Sequence, residues 1–391
     1  MGSPFGKPAP SWFTDAEVCN GWYQEWSDEV VETRLKGFPL IIGVPHSRQW
    51  IETAHRQGVK VLPYVTFYKA LNLAEARRAG WKDESEFLES PFFAELDLGA
   101  HPEWMLYQQD GAVRRPFDEP GYPGGWQQVC ANSPGYREAA LHGARALMEL
   151  GGDGLFIDNV DPSIHCFGPA FNRHQHVEPE KNNQEAFAQV VEDVYRVVKS
   201  YGEDKIIIQN PGLWEVQDRA YPRCADAIMI ESYICTWAAK ERWTTWEQIL
   251  QVANINREAL RQGKVILALS YLGHTAFKVE DDAFYCYACA KLSGFHWADW
   301  FTLPQGSPAQ VLFSLRLGRP ANDIQEKDGI FFRAFANGLV VVNPLDEPRQ
   351  VDIPLGGRDR LRDLYAGRII EADSGLTVPG QSGRVYVRAR R

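Results

Sequence analysis

Gly152-Asp153-Gly154-Leu155-Phe156-Ile157-Asp158-Asn159-Val160-Asp161 is the stretch on which the fold turns. A loop-forming Gly-Asp-Gly leads into a short apolar run that ends abruptly in Asp, Asn and Asp. A continuous rather than alternating apolar run is the pattern of a parallel strand buried on both faces. The carboxyl ends of such strands are where open α/β sheets and (β/α)8 barrels place their chemistry. Asp158 therefore has an address as well as a charge. Its structural alternative is a cap on the following loop or an ion pair with a basic neighbour.

Outward from this segment, apolar runs alternate with helix-like stretches from about residue 38 to 303. Strands are expected at 40–44, 59–65, 205–210, 227–233, 265–271 and 294–300, with amphipathic helices at 136–150 and 183–201. Repeated strand–helix order implies a parallel sheet with right-handed crossovers, and seven or eight such units favour a closed (β/α)8 barrel. A long insertion near 70–130, rich in Pro, Gly and aromatics including Trp104, Tyr122 and Trp126, is expected to be an ordered loop at the substrate entrance. After about residue 325 the pattern changes to short strands at 330–335, 339–344, 349–353 and 384–387, separated by Asn-Gly, Gly-Gly and Ser-Gly turns. The expected organisation is a barrel over 1–324 and a supporting antiparallel β-sandwich, without catalytic residues, over 325–391.

Composition excludes several classes. A net charge of −10 without a basic stripe argues against nucleic acid and anionic membranes as partners. No run is long and pure enough to span a bilayer. The 13 Trp residues suit stacking on sugar rings, a weak pointer to carbohydrate because most aromatics are core. Seven cysteines without framework spacing do not suggest a disulfide scaffold. The Cys286-x-x-Cys289 pair lies in an apolar segment and reads as two small buried residues. The N-terminus lacks the charged start and apolar stretch of a signal peptide. A native N-terminus implies a cytoplasmic protein, a processed one a secreted protein.

Segments 54–64, 101–104 and 152–159 and the phrases Asp363-Leu364-Tyr365-Ala366-Gly367 and 378–385 together resemble glycoside hydrolases that follow a barrel with a β-sandwich. The resemblance, over about 40–390, is to the endo-α-1,4-polygalactosaminidase-like group and its α-galactosidase-style relatives. It implies a retaining enzyme for α-linked sugars with no cofactor, acting on an oligosaccharide or glycoside. Such chemistry needs one carboxylate to attack the anomeric carbon and one carboxyl to protonate the leaving oxygen. In these relatives the pair sits at the ends of strands four and six, which implies Asp158 as nucleophile and Glu231 as acid/base. Glu231 has its own structural alternative, an ion pair with Arg or Lys. An amylase-like arrangement wants acids at strands four, five and seven, but here the last two end in Gln209-Asn210 and Ser270-Tyr271. A cellulase-like arrangement wants Asn-Glu at strand four and Glu at strand seven, and neither is present.

Asn159, Asp161, Asn210 and Tyr233 occupy strand ends suited to binding sugar hydroxyls. Asp299 is a further candidate, with Trp297 or Trp300 as a stacking platform; its alternative is a buried polar residue bridging barrel and sandwich. Trp104 and Trp126 are the insertion's candidate sugar contacts. His165, His174 and His176 invite a zinc reading, but their spacing matches no helix-borne motif such as His-Glu-x-x-His. They are expected to be solvated or substrate-loop residues, His165 among the substrate contacts, and no metal is expected. The rival functions are a catalytically silent carbohydrate-binding barrel, an inverting hydrolase, and a metal-dependent hydrolase using the 165–176 histidines. Carboxyl separation discriminates among the first, since about 5–5.5 Å suits double displacement and about 6.5–9.5 Å inversion.

Overall fold

The computed structural model describes residues 7–21, 35, 38–44, 46–80, 90–116, 125–160, 163–211, 224–236, 239–242, 244–300, 303–304, 306–352, 360–371 and 375–389. Strands β1 (Val18–Gly21), β2 (Leu40–Val44), β3 (Lys60–Val65), β6 (Gly154–Asp158), β7 (Ile206–Asn210), β8 (Ala227–Ile230), β9 (Val265–Ser270) and β10 (His296–Asp299) form a closed barrel in the order β1-β10-β9-β8-β7-β6-β3-β2. The pairings β3–β6, β6–β7, β7–β8, β9–β10 and β10–β1 are all parallel. The barrel thus begins at Val18 rather than near residue 38. Val18-Cys19-Asn20-Gly21 is too short and polar to announce a strand; its pairing with Trp297, Ala298 and Asp299 makes it one. With β1 counted, β6 is the fourth barrel strand and β8 the sixth.

The described residues group into two compact units, one built mainly on Ile41–Met229, the other joining Ser11–Gly21 to Ile230–Arg391. In the first, the Gly-Asp-Gly that opens β6 is explained residue by residue. Asp153 accepts hydrogen bonds from His55 Nε2 at 2.8 Å, Lys60 Nζ at 2.9 Å and the Val61 N–H at 3.0 Å. Burial opposes the charge, but these donors outweigh it and draw the carboxyl down to about 2. Its backbone N–H donates to Val61 O, and its carbonyl accepts from Ile206 N–H, so one residue fixes the start of three strands. A Cβ on Gly154 would fall 1.8 Å from Ile206 O, and one on Gly152 would fall 2.9 Å from Pro63. Only glycine lets the neighbouring backbones approach so closely.

The insertion after β3 is more regular than a loop. It carries the antiparallel ribbon β4 (Lys69–Leu71)–β5 (Trp126–Gln128), the helices Leu73–Arg78 and Pro91–Glu95, and a 3-10 turn at Pro102–Trp104. The helices are capped by Asn72 and Ser90 side chains, signals that the density of Pro and Gly obscured. Phe167 N–H donates to Tyr107 O, and Ser163 Oγ to Gln128 Oε1. The insertion therefore packs on the loop that leaves the carboxyl end of β6. Tyr122 lies outside the described residues.

In the second unit, β11 (Gln325–Lys327), β12 (Ile330–Phe335), β13 (Gly338–Asn343), β15 (Arg360–Asp363), β16 (Ile369–Glu371) and β18 (Ser382–Arg388) form an antiparallel sheet in the order β11-β12-β13-β18-β15-β16. A ribbon of β14 (Arg349–Val351) and β17 (Leu376–Val378) covers it, with Phe332, Val341, Val351, Val378 and Tyr386 in the shared core. This sheet packs on the barrel helix Val279–Ser293 of the same compact unit. That helix is buried at every residue from Asp282 to Ser293, which explains its nearly continuous apolar sequence and places Cys286 and Cys289 in the core. A Cβ on Gly383 would lie 2.5 Å from Phe284 O. Tyr365 OH donates to Asp281 Oδ1 at 2.5 Å, Arg333 Nη1 donates to Leu292 O, and Arg384 lies over the Tyr365 ring. A fragment ending at residue 324 is expected to lose this cover and aggregate, with soluble yield down at least tenfold. Gel filtration of the expressed fragment checks this, and a monodisperse fragment of native-like circular dichroism contradicts it.

Candidate active site

Asp158 is the last residue of β6 and is half-buried. Tyr64 OH donates to its Oδ2 at 2.8 Å, Asn210 Nδ2 donates to its Oδ1 at 2.7 Å, and Asn159 Nδ2 donates to Oδ2. Tyr64 is on β3 and Asn210 ends β7, so the two strands flanking β6 each supply a donor. These hydrogen bonds fix the plane of the carboxylate.

Behind Tyr64 stands His46, just beyond β2. Its Nε2 lies 2.6 Å from Tyr64 O, and its Nδ1 contacts Ser90 Oγ. A neutral ring satisfies both, donating to the carbonyl and accepting from the hydroxyl. Burial pulls its pKa down to about 4 against the opposing effect of the Tyr64 carbonyl. The ring stacks on Phe93.

In the second unit, Glu231 immediately follows β8, is half-buried, and accepts a hydrogen bond from Tyr271 OH at 2.7 Å. Both acids are followed by a residue in the left-handed region, Asn159 at φ 55° and Ser232 at φ 55°. Asn tolerates this conformation readily; Ser does so at a cost of order 1 kcal/mol. Such outliers cluster where a side chain must be held against its easier geometry. Tyr64 and Tyr271 were not singled out from the sequence, although each lies in the last two positions of a strand expected there.

The other sequence candidates separate into three groups. Asn159 and Trp300 are half-buried and His165 is exposed, so their surfaces are accessible. Asn210 is 4% exposed, and its amide is engaged by Asp158. Asp161 lies outside the described residues. Three assignments are corrected by burial. Tyr233 has no exposed surface and its OH pairs with Ser293 Oγ at 3.0 Å. Trp297 is fully buried between Tyr287 and Phe313. Trp104 lies under His101, its ring stacked at 3.8 Å and its Nε1 donating to Pro134 O at 2.8 Å. These are core rings, because the strand or turn that bears each one turns it away from solvent. Asp299 is also fully buried, its Oδ2 accepting from Leu303 N–H at 3.3 Å. His174 is buried rather than solvated, and it lies beside His176, Cys130 and Cys166.

Residues 59–339 match the hypothetical glycosyl hydrolase family 15. The chain belongs to this glycosyl hydrolase family. It is an enzyme of the O-glycosyl hydrolase class. No curated protein matches the sequence. Among solved structures, it is similar to Eubacterium rectale Amy13B, at 11% identity and TM-score 0.60, covering 99% of this chain and 98% of that one. An Anoxybacillus alpha-amylase matches at 12% identity and TM-score 0.57, with 98% and 99% covered. The alpha-amylase of Geobacillus thermoleovorans, solved with acarbose, matches at 12% identity and TM-score 0.56, with 98% and 100% covered. These likenesses concern the fold. At its fifth and seventh barrel strand ends this glycosyl hydrolase carries Asn210 and Ser270, not carboxylates.

Two expectations follow for the hydrolase's structural residues. Trp104→Ala should cost about 3–5 kcal/mol by emptying a packed site, with KM on any cleaved glycoside changed less than threefold; urea unfolding and steady-state kinetics check the split, and a large KM rise at unchanged stability restores a sugar-contact role. His46 is depressed from 6.5 to about 4 on folding, so the unfolded chain binds its proton first. Its contribution is complete above pH 6.5 and is lost as pH falls towards 4, reaching about 3 kcal/mol. Buried His296, also held well below its ordinary value, acts in the same direction. His46→Gln should flatten the fall in urea midpoint between pH 6.5 and 4, and an unchanged slope removes His46 as its source.

Proposed function

We propose that this hydrolase cleaves α-linked glycosides with retention of configuration, Asp158 acting as nucleophile and Glu231 as acid/base. The observation that carries the reading is the mounting of Asp158, an acid at the end of the fourth barrel strand held by Tyr64, Asn210 and Asn159. A carboxylate so oriented is suited to in-line attack. Glu231, directly after the sixth strand, has the position that polygalactosaminidase-like and α-galactosidase-like enzymes give their acid/base. In the first step Asp158 bonds to the anomeric carbon as the glycosidic C–O bond breaks and Glu231 gives its proton to the leaving oxygen. In the second, Glu231 takes a proton from water, whose oxygen displaces Asp158. Asn159, His165 and Trp300 are accessible residues that bind sugar in this reading, while Tyr64 and Tyr271 position the two acids.

Asp158→Asn is expected to lower kcat by at least 10³-fold on aryl α-glycosides while shifting Tm by only a few degrees. Turnover near that of the parent ends the nucleophile assignment. Glu231→Gln should spare the first step on a good aryl leaving group far more than on a natural glycoside, and added azide should accelerate turnover and yield the glycosyl azide. Equal losses on both substrates without azide rescue remove Glu231 from the acid/base role. Proton NMR of the first-formed product tests stereochemistry directly, and an inverted anomer overturns the retaining mechanism.

A further inference from the structure

Four side chains that the proposed reaction does not use converge within the first unit: Cys130, Cys166, His174 and His176. One ligand atom from each lies within 4.8 Å of all the others. Cys130 Sγ is 3.4 Å from His176 Nε2, and Cys166 Sγ is 3.5 Å from His174 Nε2. Around tetrahedral zinc, with Zn–S about 2.3 Å and Zn–N about 2.0–2.1 Å, the sulfur–nitrogen edge is about 3.5 Å. The two observed sulfur–nitrogen distances match that edge.

We infer that Cys130, Cys166, His174 and His176 bind one zinc ion. Two thiolates and two imidazoles in tetrahedral array select zinc over harder cations, which take oxygen ligands. All four positions come from protein side chains, so the site is closed and structural rather than hydrolytic. Its surroundings are built for the purpose. The Gly168 N–H points at Cys166 Sγ from 3.4 Å, the outer hydrogen bond that stabilises a thiolate ligand. A Cβ on Gly168 would lie 2.2 Å from the His174 ring, so glycine is what allows the imidazole to reach the site. Cys130 and His174 are buried, while Cys166 and His176 are half-buried.

The ligands come from two irregular segments. Cys130 closes the insertion just after β5, 46 residues before His176, whereas Cys166, His174 and His176 lie in the loop that follows Asp158. Asn132 braces the same junction, its Nδ2 donating to Glu178 O and Lys181 O and its Oδ1 accepting from Glu178 N–H. Segments with so little helix or strand bury too little apolar surface to order themselves, and a metal cross-link supplies what they lack. The ion's role is to fix the loops above the carboxyl end of β6.

Full-length protein produced with zinc in the medium and kept reduced is expected to hold about one zinc per chain by elemental mass spectrometry. X-ray absorption at the zinc edge should show two sulfur and two nitrogen neighbours. Cys130→Ser with Cys166→Ser should lower zinc content at least tenfold and speed limited proteolysis within 100–182, whereas His165→Ala should retain the metal. Less than a tenth of a zinc per chain in the reduced, zinc-loaded parent overturns the inference. So does bound zinc without sulfur neighbours, or a Cys130–Cys166 disulfide that persists under reductant. The parent measurements stand even where the double variant fails to fold.

Discussion

The buried carboxylate of Asp153 is the constraint on which the first unit depends. Three donors hold it, from a helix (His55), a strand side chain (Lys60) and a strand backbone (Val61). A buried charge with its partners removed costs about 3–5 kcal/mol, so the arrangement is all or nothing. By fixing the start of β6 between β3 and β7, Asp153 sets the register of β6. That register then carries Asp158 to a defined height at the other end, opposite Asn210. The two aspartates of one short segment thus stand at opposite ends of one barrel strand, Asp153 fixing its amino end and Asp158 closing its carboxyl end.

The environments of the two aspartates differ. Asp153 is charge-paired and nearly dry, which stabilises the anion and makes it inert. Asp158 receives hydrogen bonds from a tyrosine and two asparagine amides, which orient it. His46 extends this mounting outward by holding the Tyr64 backbone, and burial keeps its ring neutral. The same barrel architecture occurs in amylases, yet the strand ends that would carry their additional acids hold neutral residues here. The fold supplies positions; the side chains at those positions decide the reaction.

The second unit shows why the C-terminal sheet is integral. The helix Val279–Ser293 is apolar almost all round and therefore needs cover on both sides, from β10 within the barrel and from β18 beyond it. The close approach at Gly383 and the Tyr365–Asp281 hydrogen bond tie that cover in place. The change from alternating to antiparallel pattern at about residue 325 therefore falls within one compact unit, where the sheet packs on this helix.

Local pattern determined much of this protein. The continuous apolar run of β6 and its acid terminus, the strand–helix alternation and the turn-punctuated strands after 325 are all short-range signals, and each names its own element. The strand-end positions of Asp158 and Glu231 were legible in the same way, because a parallel barrel gives every strand the same direction. What only the tertiary structure decided was partnership. Trp104, Trp297 and Tyr233 are chemically equal to sugar platforms, and packing alone made them core. Val18–Gly21 became a strand only by pairing with β10. Cys130 and the three ligand candidates after Asp158 carry no common spacing, since they are brought together by two loops folding over one strand end. Sequence periodicity reports the face a residue takes on its own element; which residues meet across elements depends on long-range packing, and no local pattern encodes it.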